Sequence, residues 1–147
     1  MAYQQSEFNL DRHHCDLAVL KCIDFRFREA DQKFIQETFG VRDFDLITWP
    51  GAAKAIVTDE LMREQTVNVL KNVCIGLHGI KKLVILNHWD CGGYGGSKAF
   101  ASAEVEADTY NKDLIQAKQL LETHLAGVEI ILAFSRSSDS GLNYQVL

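Results

Sequence analysis

Short apolar runs alternate along this chain with stretches whose apolar residues recur every three or four positions. Leu17-Ala18-Val19-Leu20-Lys21-Cys22 is of strand length and ends in a charged cluster, which predicts a central strand. From about Glu29 to Phe39, Phe34, Ile35 and Phe39 fall at helical spacing, and Gly40 stands where a left-handed residue would close the helix. Asp43 to Trp49 alternates Phe44, Leu46 and Thr48 with Asp45, Ile47 and Trp49, a strand stopped by Pro50-Gly51. A long amphipathic helix is predicted from about Thr58 to His78 on Leu61, Val67, Leu70, Val73, Cys74 and Leu77, with Gly79 as its cap. The uninterrupted Leu83-Val84-Ile85-Leu86, within Lys82 to Asn87, predicts a strand covered on both faces. After a glycine-rich loop, Cys91 to Gly96, a helical stretch runs to about Leu125, Gly127 stops it, and Val128 to Phe134 is a fourth strand. The tail from Ser135 to Leu147 fits neither period well enough to assign.

Strands alternating with helices predict an α/β fold: a mostly parallel sheet of four to five strands, flanked by helices and joined by right-handed crossovers. A chain of 147 residues suits one domain, 1–147, with residues 1–16 as an N-terminal arm. In such sheets ligands bind outside the carboxyl ends of strands.

Composition narrows the partners. Hydrophobic residues at 47%, charged residues at 24% and one proline describe a chain with a real core. The net charge of −5, with both signs mixed along the chain, leaves no basic stripe for nucleic acid. The polar start from Met1 to Arg12 and the lack of any run of 18 apolar residues predict neither secretion nor a membrane span, hence a cytoplasmic protein. There the four cysteines are expected as thiols or ligands.

Two clusters carry the chemistry, Cys22-Ile23-Asp24-Phe25-Arg26 and His88-Trp89-Asp90-Cys91, each at the end of a predicted strand. Two thiolates, an imidazole and a carboxylate form a donor set suited to zinc. In an extended segment Cys22, Asp24 and Arg26 would share one side, each two-residue step spanning about 6.6 Å. His88 and Cys91 can converge on one ion across a tight loop that Gly92 and Gly93 permit. If Cys22, His88 and Cys91 bind zinc, the fourth position can hold water, whose pKa the metal lowers to about 7. If Asp24 ligates instead, the site is closed. Arg26 decides between these states, because a guanidinium fork can hold the Asp24 carboxylate off the metal.

Other features have plainer readings. Cys22 to Arg28 matches the Cys-x5-Arg spacing of phosphatase-like enzymes, but Ile23, Phe25 and Phe27 suit a phosphate-cradling loop poorly and His88 and Cys91 go unexplained. Gly92 to Gly96 could cradle an anion, though such turns more often only permit tight geometry. His13 and His14, beside Cys15, belong to the arm and could take a metal adventitiously. His78 and His124 are expected as partners of helix C-termini, and Cys74 as core. Asp90 could support a ligand or cap a turn, and Phe25, Trp89 and Tyr94 could wall an apolar pocket.

Cys-x-Asp-x-Arg followed by His-x-x-Cys-Gly on neighbouring strands resembles the β-class carbonic anhydrases, and the chain is similar to a short, divergent branch of that family over about Leu17 to Gly96. The resemblance implies Zn2+ on Cys22, His88 and Cys91, an Asp24–Arg26 dyad, reversible hydration of CO2 to bicarbonate, and a homodimer or higher homo-oligomer. Thr48-Trp49-Pro50-Gly51-Ala52 departs from the Arg-Asn-Ala-Gly common in the family, and Asn87 replaces the glycine usual before the histidine. Two alternatives use the same site: a zinc-stabilised scaffold without turnover, and hydrolysis of a CO2 isostere such as carbonyl sulfide or carbon disulfide.

Overall fold

The computed structural model describes residues 8–147. Five strands, β1 (Leu17–Lys21), β2 (Asp45–Thr48), β3 (Lys82–His88), β4 (Glu129–Ser138) and β5 (Gly141–Val146), form one sheet in the order β2-β1-β3-β4-β5. The first four run parallel, and β5 returns antiparallel along β4. This is the predicted α/β class, with the fifth strand supplied by the tail that the periodicity left unassigned. Ser138 pairs with Gly141 at a tight turn, and Gly141 takes a φ of 124° that a side chain would strain.

The period of two along β1 explains both faces of the sheet. Ala18 and Leu20 join the larger core with Ile56, Leu70, Tyr110, Leu114 and Leu121, while Leu17 and Val19 join the smaller one around Ile35. The larger core lies under α2 (Ala53–Thr58), α3 (Glu60–Val69) and α4 (Ala103–Glu122), and the smaller under α1 (Arg28–Phe39). Both faces of β3 are therefore buried, and its run of four aliphatic residues follows from that. Among the described residues no helix is long and apolar enough to cross a membrane.

The helix expected from Thr58 to His78 begins earlier and is broken. Asp59 is extended, and its side chain accepts from the Met62 amide, so it ends α2 and caps α3. Beyond Val69 the chain widens into a π-helical turn, Leu70–Ile75, in which the amides of Gly76 and His78 reach back five residues. The apolar stripe is only partly buried: Leu70 and Cys74 are core, whereas Leu61, Val73 and Leu77 face outward.

One buried charge pair ties the N-terminal half to the tail. Lys21, at the end of β1, pairs with Asp31 of α1, both almost fully buried, and Tyr144 of β5 donates to the same carboxylate at 2.7 Å while stacking on Phe34. Asp31→Ala would leave the Lys21 ammonium buried alone, and we expect a loss of about 3–5 kcal/mol in urea unfolding. A loss below about 1 kcal/mol would show that Lys21 finds another partner or water.

Candidate metal centre

The order of the sheet places β1 between β2 and β3, so the chain leaves β1 to one side and later returns to the other. The crevice at the carboxyl ends of β1 and β3 is this switch point. Cys22 directly follows β1, His88 ends β3, and Cys91 begins the next loop.

Cys22, His88 and Cys91 come together there, with one ligand-capable atom of each within 4.8 Å of the others and all three residues buried. The Cys22 and Cys91 Sγ atoms are 3.8 Å apart, too far for a disulfide. That spacing is the edge, about 3.8 Å, of a tetrahedron with Zn–S bonds of about 2.3 Å. His88 Nδ1 donates to the Trp89 carbonyl at 2.8 Å, which leaves Nε2 as the bare acceptor nitrogen. This Nε2 is buried without a hydrogen-bond partner, an arrangement that costs free energy unless something binds it. Two thiols at ligand spacing and an orphaned imidazole nitrogen fit a zinc ion.

Electrostatics prepares the thiols unequally. The Cys22 thiol is held down to about 4, first by the hydrogen bond from Cys91 and then by His88 and the Gly51 amide, against the opposing effect of burial. Cys91 is pushed up because it donates to that thiolate. Of the two, Cys22 is therefore the thiol favoured to lose its proton first.

The carboxylate and guanidinium do not lie along a strand as an extended segment would place them. Asp24 caps a 3-10 turn, Phe25–Phe27, accepting from the Arg26 amide at 3.0 Å, and this turn folds Arg26 back onto it. Arg26 Nε lies 3.1 Å from both Asp24 oxygens and a terminal nitrogen 2.7 Å from Oδ2, a bidentate grip. Arg26 also donates to the carboxylate and the carbonyl of Asp90, both at 3.1 Å. The guanidinium holds Asp24 below the usual carboxylate range, while Asp24 Oδ2 remains 3.9 Å from His88 Nε2. The turn also answers the phosphatase-like reading, because the Arg26 and Phe27 amides go to Asp24 and Arg28 is exposed.

The residues that differ from the family pattern work as supports. The Gly51 amide donates to Cys22 Sγ at 3.4 Å. Asn87 accepts from the Ala53 amide and donates to the Tyr94 hydroxyl, joining this loop to the next. A Cβ on Gly93 would lie 2.6 Å from the Gly51 nitrogen, so the two loops approach backbone to backbone only because Gly93 lacks one. Gly93→Ala must push the loops apart, and about 1–3 kcal/mol of lost stability with weakened zinc retention is expected. A melting temperature and zinc content equal to those of the parent would contradict that packing.

Glu106 and Tyr110 were not foreseen. Glu106, 1% exposed, accepts from the Asp90 amide, the Ser97 hydroxyl and the Tyr110 hydroxyl, and Tyr110 in turn accepts from the Cys91 amide. They fix the loop that carries Cys91 and the Asp90 that braces Arg26. A glutamate on the apolar stripe of α4 with Tyr110, Leu114, Ala117 and Leu121 was the available sign.

Of the proposed aromatic wall, Phe25 is 84% exposed, Trp89 packs on Phe134 under the Arg136 guanidinium, and Tyr94 donates to Asp113. The ring against the centre is Phe27, 4.0 Å from the His88 ring. The glycine-rich stretch forms 3-10 turns at Gly92–Tyr94 and Ser97–Ala99 instead of opening a helix. His124 follows the end of α4 as expected, but His78 makes a salt-bridge contact with Asp45 of β2. Cys74 is core.

A family model described as "Putative carbonic anhydrase" matches residues 12–140. The chain belongs to this family. Among curated proteins it is similar to an uncharacterized protein of Rickettsia bellii (strain RML369-C), 26% identical over 112 residues, which are 71% of this chain and 66% of that one. It is also similar to one of Rickettsia conorii (strain ATCC VR-613 / Malish 7), 28% identical over 113 residues, 71% of this chain and 58% of that one. The chain thus spans between 58% and 66% of the length of these relatives. Its fold is that of β-carbonic anhydrase isoform I from Trichomonas vaginalis, whose crystal structure matches with a TM-score of 0.55 at 12% identity, over 97% of this chain and 88% of that one.

Proposed function

We propose that this protein catalyses the reversible hydration of carbon dioxide to bicarbonate, with Zn2+ held by Cys22, His88 and Cys91. The observation that carries the reading is the bidentate hold of Arg26 on Asp24, 3.9 Å from the free nitrogen of His88. A purely structural zinc site needs no such dyad. When bound, zinc with three protein ligands supplies a water acidified to about pKa 7 as the nucleophile.

The chain's own residues do the rest. Arg26 keeps the Asp24 carboxylate charged and, by gripping both of its oxygens, competes with the metal for them, so that a fourth position can stay open. Asp24, as a charged acceptor, can take a hydrogen bond from the nucleophile and so orient it toward the substrate carbon. Phe27, against His88, keeps one side of the centre apolar, which suits an uncharged substrate. Asp90 braces Arg26 from the far side.

The reading includes a homodimer, supported by Phe25, which stands exposed beside the dyad where a second copy would cover it. It also places the protein in a reducing compartment such as the cytoplasm, since the ligands must stay thiols. The deep burial of all three donors favours one competitor, a zinc-stabilised scaffold without turnover. Stopped-flow CO2 hydration by zinc-quantified protein at about pH 7 and 8.5 separates them. Turnover that rises with pH and scales with zinc supports the enzyme; zinc-replete protein without turnover at either pH removes it.

A further inference from the structure

The opposite end of the sheet carries a second cluster of donors. Cys15 precedes β1, Asp45 opens β2, and His78 lies just before β3, so all three sit at the amino ends of parallel strands. One ligand-capable atom of each lies within 4.8 Å of the others. The Cys15 amide donates to the His78 carbonyl at 3.1 Å, which fixes two of the three residues to each other through backbone.

We propose that Cys15, Asp45 and His78 form a second zinc site, distinct from the centre at the carboxyl ends. A thiolate, an imidazole and a carboxylate make a mixed set that zinc accepts with tetrahedral geometry. His78 Nδ1 lies 2.8 Å from Asp45 Oδ2, as in a simple ion pair. Zinc bonded to both atoms at about 2.0 Å would hold them about 3.3 Å apart, so the carboxylate need recede by only about half an ångström. The His78–Asp45 contact alone does not account for Cys15, which its neighbours hold beside both groups although its thiol makes only a weak 3.6 Å contact to the Leu17 carbonyl.

Access agrees with this assignment. A cavity of about 610 Å³ opens on the cluster, lined by His13, His14, Cys15, Asp43, Asp45 and His78 among others. It brings His13 and His14 to the mouth of the site, beside Arg42 and an Asp43 already paired with Arg12. A metal here would add a staple between the residues before β1 and the starts of β2 and β3, beside the backbone hydrogen bonds of Cys15 to His78 and of Lys81 and Lys82 to Asp16 and the Arg12–Asp43 ion pair.

The test uses the full chain carrying Cys22→Ser and Cys91→Ser, loaded with cobalt(II), so that any thiolate-to-cobalt charge-transfer absorption must come from elsewhere. We expect such absorption at one cobalt per chain, lost on adding Cys15→Ser or His78→Ala. No absorption from a folded chain, or absorption unchanged by both substitutions, overturns the site. Should that double variant not fold, Cys15→Ser in the otherwise unaltered chain should reduce zinc from two equivalents to one with CO2 hydration unchanged. Unreduced zinc content then overturns it. The site stands independently of the catalytic reading, because zinc that depends on Cys15 can be present whether or not CO2 is hydrated.

Discussion

Cys91→Ser should remove one zinc equivalent per chain and bring CO2 hydration to the uncatalysed rate. The hydroxyl of serine is not deprotonated at neutral pH and is a harder donor, so the set falls from three strong ligands to two. The serine hydroxyl can still donate to Cys22, so the expected loss comes from the missing second thiolate and not from Cys22 itself. Metal binding to the folded state adds stability. At free zinc 1,000-fold above the dissociation constant the loss is about 4 kcal/mol, read as a lower melting temperature that chelation of the parent protein reproduces. Zinc content by mass spectrometry of the desalted protein, beside the hydration rate, decides the matter. Full zinc retention would exclude Cys91 as a ligand, and retained turnover would exclude this centre as the site of reaction.

Arg26→Ala is expected to act in the opposite sense on metal, leaving zinc bound while kcat/KM falls by at least about 100-fold. Three effects coincide. The carboxylate loses its bidentate partner, its pKa returns toward the ordinary range, and only the residue 26 amide still restrains it from swinging into the fourth position beside His88 Nε2. Arg26→Lys should recover little, since a single ammonium cannot grip both Asp24 oxygens while reaching Asp90. The diagnostic readout is zinc per chain measured on the samples used for kinetics. A parallel fall in zinc and rate would mean that Arg26 builds the ligand set, and the assignment of orienting work to the dyad would be wrong.

Both expectations start from residues visible as short strings at strand ends. The four aliphatic residues of β3 and the run in β1 announce strands because a buried parallel strand needs apolar side chains on both faces. Once those strands are placed, the carboxyl-end rule brings Cys22 and His88 to one crevice without any knowledge of loops. The errors have equally local causes. The apolar spacing from Thr58 to His78 could not reveal that Asp59 would take extended backbone and cap α3, since capping competes with helix continuation at the level of a single side chain. The tail from Ser135 was opaque because β5 is an edge strand with a mostly exposed face, so Tyr144 gains its meaning only from Phe34 and Asp31, far away in the chain.

The sequence by itself determined the class of fold, the donor types and the two strand ends that carry them, because hydrophobic period and ligand chemistry are properties of neighbouring residues. Only the tertiary structure decided how the donors are poised: the turn that folds Arg26 onto Asp24, the Trp89 carbonyl that leaves His88 Nε2 bare, and the Glu106–Tyr110 support under the loop of Cys91. It also decided that Cys15, Asp45 and His78 meet at all. Some of these contacts are between near neighbours in sequence, but the backbone of each turn is held where it meets distant segments, Asp90 beside Arg26, Gly51 beside Cys22 and Tyr110 under Cys91, and no local pattern of residues encodes those meetings.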